Sequence, residues 1–110
     1  MSRARETAGQ ALELARECGE RGHEAQALQM LGDLAAHGPR PDVADARERY
    51  AAAMRLAEEL GLQPLVASCQ SSLGSLDLLA GDETAAARRR EQLDQDLRDW
   101  GFAVAPRRHG

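Results

Sequence analysis

The stretch AEELGLQPLVASCQSSLG, residues 57–74, decides the fold, because its helical periodicity stops at Gly61 and resumes at once beyond Pro64. Before the break, Val43, Ala46, Tyr50, Ala53, Met54, Ala57 and Leu60 recur in steps of three or four, which keeps one helical face apolar. Gly61 can take the left-handed conformation that closes a helix. Pro64 has a fixed φ and no N–H to donate, and both are tolerated at the start of a new helix. After it, Leu65, Val66, Cys69, Leu73 and Leu76 form a second apolar stripe that runs to about Ala80. The segment therefore reads as two helices folded back on each other.

The same punctuation organises the flanks. A first helix is expected from about Ser2 to Cys18, with Ala4, Ala8, Ala11, Leu12, Ala15 and Cys18 on one side and Gly19 as its stop. A second, from about His23 to His37, carries Ala27, Leu28, Leu31, Leu34 and Ala35; the sequence GPRP at 38–41 prevents its continuation, and Asp42 caps the third helix. Gly81 and Asp82 supply a stop and a new cap, so a fifth helix follows to Trp100. The fold class is all-α, about five helices in one domain over residues 1–101, with 102–110 read as a flexible tail.

Composition supports thin layers rather than a thick globule. Of 110 residues, 43% are hydrophobic, yet the aromatics are only Tyr50, Trp100 and Phe102, so close alanine contacts must supply the core. All 14 basic residues are Arg, and Lys, Asn and Ile are absent, which points to a GC-rich coding sequence and a bacterial source. No run approaches the roughly 18 apolar residues of a membrane span, and MSRARETAGQ lacks the apolar centre of a signal peptide. A cytoplasmic protein without a membrane partner is expected. Cys18 and Cys69 lie on apolar stripes at no metal or redox spacing, and are read as buried, reduced thiols. A net charge of −4 argues against nucleic acid as a partner. The arginine run 88–90 is followed by Glu91, Asp94, Asp96 and Asp99, the pattern of a solvated helix face.

The chain also repeats. A shift of 42 residues places Gly19 on Gly61, Ala4 on Ala46, Ala11 on Ala53, Ala15 on Ala57, Leu31 on Leu73 and Gly32 on Gly74. With a loop two residues shorter, Ala46 meets Ala86 and Leu60 meets Trp100, giving two and a half helix hairpins. Glycine inside a helix costs about 1 kcal/mol relative to alanine. Gly32 and Gly74 are therefore expected to face Ala46 and Ala86 at close backbone approaches.

On these residues the chain resembles the tetratricopeptide repeat family. LQMLGDLA and CQSSLGSLD look like its first-helix signature, with Leu31–Gly32 and Leu73–Gly74 as the Leu-Gly pair, and Ala46, Tyr50 and Ala53 match the small-aromatic-small pattern of its second helix. More narrowly, YAAAMRLAEELGLQPLVASCQSSLGSL is similar to helical repeats near the C-termini of bacterial class III nucleotide cyclases and regulatory ATPases. The resemblance covers about residues 3–101 and implies an α-solenoid fragment. Asp77 and Arg90 depart from it where aromatics are usual. The polar fifth helix then reads as a solvating cap, and Asp77 is expected to pair with one of Arg88 to Arg90.

The resemblance further implies a non-enzymatic module whose first helices line a groove for a protein or peptide. Gln26, Gln29 and Asp33 align with Ser68, Ser71 and Ser75 in that register and are the candidate contact residues. The first helix would lack a covering partner around Leu12 and Leu14, making them candidates for self-association as a homodimer; a scaffold or oligomerisation segment of a larger regulatory protein is the alternative. Catalysis finds no support. His23 and His37 sit near opposite ends of one helix, Glu58–Glu59 and Asp94–Asp96 read as helix surface, and there is no metal-ligand spacing or phosphate loop, so no cofactor is expected.

Overall fold

The computed structural model describes residues 3–101, and every element in that span is a helix: α1 (Arg3–Cys18), α2 (Arg21–His37), α3 (Val43–Leu60), α4 (Gln63–Leu79) and α5 (Glu83–Asp99). None is long and apolar enough to cross a membrane. The sequence places all five, although α2 begins two residues early. The tail 102–110 lies outside the described residues.

Three of the four connections share one glycine joint, two residues long after α1 and α3 and three after α4. Gly19, Gly61 and Gly81 take φ of 69°, 71° and 81°, the left-handed region that glycine enters without penalty. The next residue donates its N–H to the carbonyl five positions back: Glu20 to Ala15 at 2.8 Å, Leu62 to Ala57 at 2.9 Å and Asp82 to Asp77 at 2.7 Å. Its own carbonyl then accepts the first bond of the new helix, from Glu24, Val66 and Ala86 respectively. One residue thus closes one helix and opens the next. This resolves the break at residues 57–74: Gly61 reverses the chain, Leu62 is shared, and Pro64 occupies the first turn of α4, where its missing N–H leaves no bond unmade. The α2–α3 connection is longer and ends on Asp42, whose carboxylate accepts from Asp45 N–H at 3.0 Å.

Each helix packs on its neighbour in sequence, and α2 also meets α4. The described chain measures 46 × 32 × 16 Å. One core cluster joins Ala8 and Leu12 of α1, Ala27, Leu28 and Leu31 of α2, Ala53 of α3 and Cys69 of α4. A second joins Ala35, Ala36, Ala46, Tyr50, Leu73 and Leu76, and Met54 packs against both. Five fully enclosed alanines (Ala8, Ala25, Ala46, Ala53 and Ala57) let the helix backbones come close without large side chains. α5 buries only Ala86, consistent with its polarity.

Four expectations need correction. Leu12 is a core residue, because α2 covers that side of α1; only Leu14, at 60% exposure, remains on an open flank. Cys18 is exposed in the last turn of α1, whereas Cys69 is buried. Ala4 and Ala11 are likewise exposed, so the covered stripe of α1 is narrower than its periodicity implies. The glycine pair is not equivalent either. A Cβ on Gly32 would lie 2.7 Å from Cε1 of Tyr50, so its close partner is an aromatic ring rather than Ala46; a Cβ on Gly74 would meet nothing within 4 Å.

The two glycines therefore respond oppositely to alanine. Tyr50 is buried and cannot yield, so Gly32→Ala is expected to lower stability by about 1–3 kcal/mol through overpacking. Gly74→Ala is expected to raise it by about 0.5–1 kcal/mol through helix propensity. Urea unfolding of the two variants checks both signs.

Candidate functional site

The face where α2 and α4 lie side by side collects most of the polar candidates. Gln29 Nε2 donates to Ser68 Oγ at 2.6 Å, linking two helices that are not consecutive in the chain. One turn further along α2, the Asp33 carboxylate accepts a hydrogen bond from the Tyr50 hydroxyl. Ser75 donates to the carbonyl of Ser71 at 3.3 Å and lines a cleft of about 200 Å³ with His37, Tyr50, Ser72 and Leu79. Beside it, Arg5, Asp33, Leu34, His37 and Arg40 border a wider hollow of about 590 Å³.

Gln29, Asp33, Ser68 and Ser75 thus form a band along one face. Gln26 is exposed at its far end. Ser71 turns toward α5, where it borders a different cleft. Sequence reasoning missed His37, Ser72 and the Tyr50 hydroxyl. His37 was recoverable, because it continues the spacing Gln26, Gln29, Asp33 by four residues. Tyr50 was not, because its pattern marks it as core and its ring is core; only the hydroxyl reaches the face.

Burial pushes the Tyr50 hydroxyl well above its ordinary pKa, and donation to Asp33 together with that carboxylate's charge pushes it further. It is therefore a fixed neutral donor that orients Asp33. Burial also pushes the Cys69 thiol up to about 11, with Asp33 adding to the effect, so it is not a nucleophile at neutral pH.

A second polar centre lies between α3, α4 and α5. Asp77 is 2% exposed. Its Oδ1 accepts from Arg47 Nη1 at 2.9 Å and its Oδ2 from Arg89 Nε at 2.5 Å. The expected partner within 88–90 is therefore Arg89, while Arg47, on α3, was not foreseen. Both guanidiniums keep about a third of their surface in water, so the carboxylate bears most of the desolvation. Burial alone would raise its pKa, but the hydrogen bonds from Arg47 and Arg89, followed by their charges, hold it below the usual carboxylate value. With both oxygens occupied, Asp77 is a structural clamp rather than a general base.

No protein-family model matches the chain, and neither a curated protein nor a solved structure matches it.

Two pH responses follow from these environments. The Asp77 clamp should contribute fully above about pH 4, the unfolded carboxyl value, and be lost as the pH falls through its lower folded value. The urea midpoint should fall less steeply on acidification in Asp77→Asn than in the parent. Replacing both Arg47 and Arg89 by Ala should cost about 3 kcal/mol at neutral pH by stranding the carboxylate, with part of that loss recovered on acidification.

Tyr50 is the one tyrosine in the sequence, so tyrosinate absorbance reports it alone. Its ionisation is expected above its ordinary value of 10.0. Stability should decline as the pH rises past about 10, because the unfolded chain gives up that proton first.

Proposed function

We propose that this chain is a non-enzymatic, tetratricopeptide-like adaptor that binds an extended segment of a protein partner along the α2/α4 face, in bacterial regulation. The observation that carries the reading is the Gln29–Ser68 hydrogen bond. It holds alternate helices side by side, and so supports a stack in which the first helix of each hairpin contributes to one continuous surface. Along that surface, Asp33, His37, Ser72 and Ser75 present acceptors and donors beside a cleft with the apolar floor of Ala36, Leu76 and Leu79. An extended peptide offers matching backbone groups and side-chain anchors.

A second reading is favoured by one specific observation. Leu14 stands 60% exposed on the outer side of α1, and an apolar side chain there fits a self-associating scaffold. Peptide-array selection followed by solution affinity measurement separates the two. The adaptor reading expects a monomer whose selected peptide binds at least about tenfold more weakly to a Gln29→Ala/His37→Ala double variant, with Leu14→Glu without effect. A dimer by light scattering that Leu14→Glu dissociates, together with no selected peptide, would replace it with the scaffold reading.

A further inference from the structure

The two hairpins that superpose in sequence are not filled alike. The 42-residue register places Gly32 on Gly74, and with the following loop two residues shorter Tyr50 falls on Arg90. Over Gly32 the Tyr50 ring occupies the space a side chain would need. Over Gly74 there is open space, and Arg90 is exposed. What remains between α4 and α5 is a cleft of about 130 Å³ whose lining includes Gln70, Gly74, Ser75, Leu78, Arg90 and Leu93. A cavity of roughly this size, about 150 Å³, is known to take a single benzene ring.

The walls add chemistry to the shape. Gln70 Nε2 donates to Asp96 Oδ2 at 2.7 Å, which fixes the orientation of the amide. Its Oε1 is then a buried acceptor without a donor, and buried acceptors are ordinarily satisfied. Ser75 stands where Asp33 stands in the preceding hairpin, and there Asp33 accepts the Tyr50 hydroxyl. The lining contains two guanidiniums, Arg89 and Arg90, and no carboxylate. Arg89 is engaged by Asp77. Arg90, at the rim, suits the face of an aromatic ring and carboxylates flanking it.

We propose that the α4/α5 cleft binds a tyrosine side chain from an acidic segment of a partner protein. The ring lies over Gly74 as Tyr50 lies over Gly32, its single hydroxyl proton is donated to Gln70 Oε1, and the flanking carboxylates face Arg90. The chain thus holds one copy of an aromatic-on-glycine contact internally and leaves the second copy for a partner to complete. Ser75 borders both this cleft and the one on the α2/α4 face, but Gln70, Gly74, Arg90 and Leu93 line this cleft alone, so the proposal does not depend on that reading.

The test uses the full chain, isotopically labelled, titrated with the acetylated and amidated peptide Asp-Glu-Tyr-Asp-Glu while backbone amide shifts are followed. Shifts are expected at Ser71, Gly74 and Leu93. Affinity should fall about tenfold when alanine replaces the peptide tyrosine and about threefold when phenylalanine does. Arg90→Tyr, which refills the cleft from within, should raise Tm and abolish binding; Gly74→Leu fills it from the opposite wall and serves if the first variant does not fold. The Gln29→Ala/His37→Ala variant should bind this peptide as the parent does, so failure of the α2/α4 reading is distinguishable. Absence of binding, equal affinity for the alanine peptide, binding that survives a filled cleft, or shifts confined to Gln29, Asp33 and His37 would each overturn the proposal.

Discussion

The short glycine joint is the constraint on which the rest depends. A left-handed glycine followed by a residue that caps both helices leaves no slack, so the second helix must return along the first. Once Gly19, Gly61 and Gly81 set that reversal, the apolar stripes meet within a few residues of each turn. The chain can then assemble from contacts between neighbours in sequence, with little loop entropy to overcome. Alanine suits this geometry because closely returning helices have little room between them.

Polar groups set the register where the thin core does not. The Gln29–Ser68 bond ties α2 to α4, and the Tyr50 hydroxyl ties α3 to a carboxylate on α2. Each uses a side chain on the boundary between core and surface. A few directional bonds between elongated helices restrict sliding along the axis, which alanine contacts alone resist weakly. The same bonds hold the polar groups of the candidate face in place.

Most of the architecture was legible in the sequence because glycine, proline and aspartate mark helix ends for local reasons. Gly61 with Pro64, and Asp42 and Asp82 as caps, need no knowledge of the remainder of the chain. The candidate face was legible in part: Gln29 and Asp33 follow from helical spacing and from the internal register. What escaped depended on distance through space. Nothing local distinguishes Leu12 from Leu14 by covering helix, shows that Gly32 meets Tyr50 while Gly74 meets open space, or brings Arg47 to Asp77 across thirty positions. Repetition even misled, because equal spacing implied equal packing where Arg90 had replaced the aromatic.

The Asp77 clamp alters how the helices come apart. In an array of helices that touch only their neighbours, the end helix can peel away while the middle remains intact. Here one carboxylate is shared by α3 and α5, which are not packed directly on each other. Detaching α5 removes one of the two cations that make burial of the charge tolerable, and the penalty falls on the α3–α4 interface. Fraying of the last helix is thereby coupled to the loosening of the hairpin before it, so the polar end is drawn into the cooperative unit despite burying little of its own surface.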